Sequence, residues 1–170
     1  MLDMLEHIER PGIGTRTLLY GRLEEANVAT SMETLLKGLN LDLAAEYQAI
    51  ISYRLFASLA SGPYRNEIRE FFEEEIPDEL SHAQFLADKI VALGGTPTAE
   101  PLPVKITRDN REMLEIALQG ETDTIARYEE RVAQADELKL TALKVRLEDL
   151  IVDETEHKEE IERRLHNWKE

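Results

Sequence analysis

Apolar residues return at intervals of three and four in four long stretches of the chain, the spacing of one face of a helix. In the first, Met32, Leu36, Leu39, Leu43, Glu46, Ile50, Tyr53 and Ala57 share a stripe, so a glutamate and a tyrosine stand among the inward positions. The second, about 63 to 93, aligns Ile68, Phe72, Glu75, Glu79, His82, Leu86 and Ile90. The third, about 109 to 135, aligns Leu114, Leu118, Glu121, Ile125, Tyr128 and Val132. The fourth, about 139 to 168, aligns Leu140, Leu143, Leu147, Leu150, Glu154, His157 and Ile161. Thr30 with Glu33 reads as a capping box that starts the first helix. Ser61-Gly62-Pro63 ends that helix, and Gly94-Gly95 ends the second.

The connections predict the topology. Short turns join the first helix to the second and the third to the fourth, so each pair is an antiparallel hairpin. Between the pairs runs a proline-rich link from Gly94 to Thr107. Fully extended, its fourteen residues reach roughly 46 Å, enough to run the length of a thirty-residue helix at ~1.5 Å per residue. The expected fold is an all-α four-helix bundle, residues 30–170, with two hairpins joined by a long crossover, preceded by an extension at residues 1–29 that packs on a neighbouring subunit.

The two hairpins repeat each other in their chemistry. Glu46, Tyr53 and Asp78-Glu79-x-x-His82 recur 75 positions later as Glu121, Tyr128 and Asp153-Glu154-x-x-His157. In each half the lone glutamate precedes the Glu-x-x-His pair by 33 residues, so each hairpin brings three ligating side chains to one point. Acids on an apolar stripe are costly to bury unless paired or metal-bound. Four carboxylates and two imidazoles describe a two-metal site, in which four negative charges balance two divalent cations. Zinc favours four-coordinate sites and magnesium prefers oxygen and water, so this mixed set suits iron or manganese.

Composition narrows the chemistry further. The chain has no cysteine, hence no disulfide framework and no thiolate site. With 35 acidic and 20 basic residues it carries a net charge of −15, which argues against a nucleic-acid partner and suits cations. No basic leader or membrane-length apolar run is present, so a soluble, cytoplasmic protein without membrane contact is expected. His7 and His166 stand outside the repeat and read as surface residues, and Trp168 as a residue of a subunit contact or of the packing against the N-terminal segment.

A bundle with one long crossover and a Glu plus Glu-x-x-His set in each half resembles the ferritin-like superfamily. Its site resembles that of bacterioferritin and of Dps-like proteins with a di-iron site inside each subunit. The resemblance implies Glu46 and Glu121 as terminal ligands, Glu79 and Glu154 as bridging ligands, and His82 and His157 as ligands of one metal each. It implies two iron ions per subunit, with manganese open, and oxidation of Fe(II) by O2 or hydrogen peroxide in a homo-oligomeric shell. Tyr53 is the catalytic candidate, placed to donate an electron or a hydrogen bond beside the metals, or else a core tyrosine with a satisfied hydroxyl. Tyr128 is its counterpart.

Several departures from the family shape the expectation. Leu80 stands where bacterioferritin carries its haem methionine, so no haem is expected. The chain also ends soon after His157, short of bacterioferritin's fifth helix, which leaves a dodecamer and a 24-subunit cage both open. Thr124 replaces a carboxylate of rubrerythrin. Asp78 and Asp153 read either as groups that orient the ligand histidines or as solvated surface acids. Glu75 occupies an inward position matched by Leu150 in the other half, as part of an iron path or an acidic face with Glu73 and Glu74. Pro77, one turn before His82, predicts a bent, strained turn there. Three function classes follow: an iron-storing or detoxifying ferroxidase, a non-storing di-metal peroxide-removing enzyme, and a Dps-like stress protein.

Overall fold

A computed structural model describes the backbone over residues 13–166 and at Trp168, and the side chains from Met32 onward in that range. Among these residues there are four helices and no strand: α1 Ile13–Leu59, α2 Arg65–Ala92, α3 Asn110–Glu137 and α4 Thr141–Leu165. α1 packs on α2 and α3, and α4 on α3. No helix among the described residues is long and apolar enough to cross a membrane.

The start of α1 corrects the capping-box reading. Thr30 lies inside a helix that begins at Ile13, because the sequence has no proline between Pro11 and Pro63 to halt it. His7 lies outside the described residues, as does the whole stretch preceding α1. The other boundaries follow turn chemistry. Gly94, at φ 83°, closes α2: its own N–H reaches Val91 and that of Gly95 reaches Ile90. α3 opens on Asp109, whose carboxylate accepts from the N–H groups of Arg111 and Glu112.

The α3–α4 turn has the same form but puts Lys139 at φ 57°, a conformation that costs a side chain roughly 1–2 kcal/mol. Lys139→Gly is therefore expected to stabilise the fold by about 1 kcal/mol. A thermal scan should show the melting point rise by about 2–4 °C.

α2 runs through Pro77 as one helix, so the proline does not end it. The proline lies on the exposed side, as does Glu73, whose carbonyl loses its partner and can turn to water.

The crossover runs along α1 and is pinned at successive turns. Thr98 N–H donates to Asn40, Leu102 N–H to the Ala44 carbonyl, and the Gln48 side chain to the Pro103 carbonyl. At the far end Asn110 exchanges hydrogen bonds with the backbone of Ser61. The link thus passes from the Gly94 end of the bundle to the Ser61 end, which sets the second hairpin against the first.

Two apolar cores result. One gathers Phe56, Ile68, Phe72, Met113, Leu114 and Ile161, and the other Leu39, Leu43, Leu86, Leu143, Leu147 and Leu150. Trp168 packs against the first core, its ring 5.3 Å from that of Tyr64. Between the two cores lies a layer of buried acids and histidines.

Candidate metal centre

Helical periodicity delivers the six repeated side chains to that layer. Glu46 comes from α1, Glu79 and His82 from successive turns of α2, Glu121 from α3, and Glu154 and His157 from successive turns of α4. All six are buried. They form two overlapping groups: Glu46, Glu79, His82 and Glu154 each offer an atom within 4.8 Å of the others, and so do Glu79, Glu121, Glu154 and His157. Glu79 and Glu154 belong to both groups.

Each imidazole turns one nitrogen inward and the other outward. Nδ1 of His82 lies 3.0 Å from Glu154, and Nδ1 of His157 lies 3.4 Å from the other oxygen of the same carboxylate. Nε2 of His82 faces Asp153 at 3.5 Å, while Nε2 of His157 faces Glu75 at 3.1 Å and Asp78 at 3.7 Å. Asp78 and Asp153 therefore each address the histidine of the opposite hairpin. Carboxylates on the outer nitrogen orient an imidazole and raise its basicity toward whatever the inner nitrogen meets.

The tyrosines cross in the same way. Tyr53 of α1 donates its hydroxyl to Glu121 of α3, and Tyr128 of α3 donates to Glu46 of α1. Glu46 and Glu121 thus each have one oxygen held by a tyrosine from the other half. Linear sequence places each tyrosine two turns from the glutamate of its own helix, and only the helix pairing reveals the exchange.

Electrostatically the layer is strained. Burial, followed by repulsion from Glu154, pushes the Glu46 carboxyl up to about 7. Burial and the other acids raise Glu79 and Glu121 well above the carboxylate range. Glu154 behaves oppositely: although burial opposes ionisation, the facing His157 and His82 hold it down to about 2. Burial disfavours the charged imidazoles too, yet Glu154, Glu75 and Asp78 together outweigh it and lift His157 to about 9.

Five atoms in the layer are buried with no hydrogen-bond partner: Glu79 Oε1, His82 Nδ1, both oxygens of Glu154 and His157 Nδ1. These are donor atoms for cations, they converge, and Glu79 and Glu154 each face both groups. The set fits two divalent metal ions.

Sequence periodicity missed one charged group beside the centre. Asp42, one turn before Glu46, is 0% exposed and lies 3.2 Å from Nε of Arg131 and 3.4 Å from Nε of Arg127. Gly38 makes the room, since a Cβ there would stand 2.1 Å from an Arg131 nitrogen. Burial pushes the Asp42 carboxyl up to about 6 against the pull of the two arginines. The signal was an aspartate on the inward stripe of the first helix.

Comparison with known proteins agrees with this arrangement. Residues 36–170 match the family described as a ferritin-like domain. The bacterioferritin of Brucella melitensis is 32% identical over 135 residues, 79% of this chain and 81% of that protein. The crystal structure of a ferritin-like, diiron-carboxylate protein from Bacillus anthracis is 55% identical and superposes with a TM-score of 0.78, covering 79% of this chain and 97% of that one. A Dps protein from Vibrio cholerae, 19% identical, shares the fold at a TM-score of 0.74 over 80% of this chain and 91% of its own. With most of its length matching the family and its helices superposing on those of known members, the chain belongs to the ferritin-like family, beside the bacterioferritins and the Dps proteins.

Proposed function

We propose that this protein is a ferroxidase that oxidises Fe(II) with O2 or hydrogen peroxide at a two-metal centre, for iron storage or detoxification in an oligomeric shell. The observation that carries the reading is the pair of overlapping donor groups sharing Glu79 and Glu154. Glu46 and His82 complete one position, and Glu121 and His157 the other. Two bound Fe(II) ions supply one electron each, so that one peroxide and two protons yield two Fe(III) and two water molecules.

The chain's own residues prepare that exchange. Four carboxylates neutralise the two divalent ions and displace their own protons as the metals enter. Glu79 and Glu154 hold the two ions close enough to act on one oxidant molecule. Tyr128 and Tyr53 each fix one oxygen of a terminal glutamate, which leaves the other oxygen directed inward. Asp153, and Asp78 with Glu75, hold the two imidazoles with Nδ1 facing the cluster. Glu75 also gives the His157 side a partly exposed carboxylate on the iron path.

The Tyr53 hydroxyl is buried against Glu121 at the centre. Tyr53→Phe is expected to keep two metal ions per chain while slowing Fe(II) oxidation by roughly tenfold to a hundredfold. Stopped-flow absorbance with metal analysis on the same sample tests this, and unchanged oxidation would remove the tyrosine from the mechanism. Sedimentation tests the shell: a particle of a dozen or more chains that accumulates iron well beyond two per chain supports storage. A small oligomer that stops at two would make it a non-storing peroxide-removing enzyme.

A further inference from the structure

Between α1, α3 and the crossover lies a cavity of about 330 Å³, at the lower end of the ~300–1,000 Å³ that small-molecule sites occupy. Ala49 and Phe56 of α1 and Ile116 and Ala117 of α3 give it apolar walls. Glu79 and Glu121 line it from the metal layer, where their oxygens are gathered. On the other sides the polar groups are mainly hydrogen-bond donors. Lys105 of the crossover lines the cavity and pairs with no acid among the described residues. Arg127 lines it too, donating to the Thr124 hydroxyl oxygen at 2.8 Å while its Nε lies 3.4 Å from Asp42. Thr124, accepting that bond, keeps its own hydroxyl proton to donate. Ser52 is 5% exposed and lines the cavity, and its hydroxyl makes no hydrogen bond among the described residues.

The register of the crossover brings Lys105 to the buried hydroxyl. The link runs along α1 toward Ser61, with Leu102 held at Ala44 and Pro103 at Gln48. Two further residues at ~3.3 Å each cover about one helical turn of ~5.4 Å, so Lys105 arrives level with Ser52. A buried donor without a partner is unfavourable, and an oxyanion answers several such donors at once. Asp123, an exposed acid that also lines the cavity, accepts from Gln119. We propose that the cavity is a binding site for a small monocarboxylic acid, its carboxylate set among Lys105, Arg127 and the Ser52 and Thr124 hydroxyls and its apolar body along Phe56, Ile116 and Ala117. A cationic ligand would meet Lys105 and Arg127, and a neutral alcohol would leave both without a counter-charge. The chain's net charge of −15 repels anions in general, so retention of an acid reports a local site.

Octanoate is the probe, titrated calorimetrically into the full-length metal-free protein at neutral pH. Saturation at one octanoate per chain with a Kd of about 1 mM or tighter is expected, with octanol and octylamine binding more weakly. Crystals soaked with ω-bromo-octanoate should show anomalous bromine scattering beside Phe56 and Ile116. Lys105 is exposed and outside the metal layer, so Lys105→Glu is expected to fold normally. It should weaken octanoate about tenfold or more while leaving octanol unchanged. Ser52→Leu removes the unpartnered hydroxyl and fills part of the cavity, and should abolish octanoate binding.

Absence of octanoate binding, bromine bound elsewhere, or an affinity untouched by Lys105→Glu would overturn the site. Octanol or octylamine binding as tightly as octanoate would overturn the carboxylate assignment. The protein is free of metal throughout, so each of these failures leaves the two-metal reading standing.

Discussion

Glu79→Ala is expected to reduce Fe(II) oxidation roughly a hundredfold or more, since removing a single carboxylate takes a donor from both metal positions at once. Glu46→Ala or Glu121→Ala removes a donor from one position only. Metal analysis should accordingly find the shared-ligand variant more depleted than either terminal variant. The metal-free form supplies a second readout. Glu79 Oε1 is buried without a partner, so its removal relieves an unsatisfied polar group at the cost of a small cavity. The metal-free variant is expected to melt no lower than the metal-free parent. Normal oxidation by a folded Glu79→Ala protein would contradict the assigned site.

The second large effect is a stability that falls with pH in the metal-free protein and recovers on metal addition. Glu46 binds its proton more tightly folded, near 7, than unfolded, near 4.5. Its contribution is present below 4.5 and is lost as pH rises through 7. Glu79 and Glu121 shift in the same direction. His157, lifted from 6.5 to about 9, contributes fully below 6.5 and loses that contribution as pH rises through 9. Glu154 works oppositely, but its contribution is lost only as pH falls from 4.5 toward 2.

The melting temperature of the metal-free protein should therefore fall between pH 5 and pH 9. At about 1.4 kcal/mol for each tenfold difference in proton affinity between the folded and unfolded chain, and about 2–4 °C per kcal/mol, the drop is on the order of 10 °C. A divalent ion takes the place of the protons, so its stabilising effect should grow over the same range, reaching about 2.7 kcal/mol at a concentration a hundred times its Kd. Calorimetry across pH, with and without Co(II), checks both arms. A flat or rising melting temperature in the metal-free protein would contradict the electrostatics described for the layer.

Much of the site was legible because repetition and helical period say the same thing. Glu46 and Glu121 fall on the apolar stripes of their helices, and an i, i+3 spacing places Glu79 beside His82 and Glu154 beside His157. The proline-rich link was long enough for a crossover, and the hydrogen bonds at Asn40, Ala44 and Gln48 show how it is held.

The errors have physical causes. In α3 the large residues Leu118, Ile125 and Val132 are only half-buried, while Ala117, Thr124 and Arg131 are buried, Arg131 against Asp42 of α1. Hydrophobicity selects the bulky side chains, yet close packing of two helices favours small ones at the contact, and Asp42 draws Arg131 inside. In α1 hydrophobicity could not separate two adjacent leucines, and the stripe took Leu36 where Leu35 is the fully buried one. The crossed tyrosines and the aspartates facing opposite histidines depend on which helices become neighbours, and spacing within one helix carries no such information.

The most direct test is stepwise anaerobic addition of Fe(II) to the metal-free protein, followed by a pulse of O2 or peroxide, with absorbance and iron content measured per chain. Saturation close to two Fe(II) per chain, with the pair oxidised together and the response lost in Glu79→Ala, is the predicted result. Saturation at one ion or none, or oxidation no faster than in protein-free buffer, would contradict the two-metal centre.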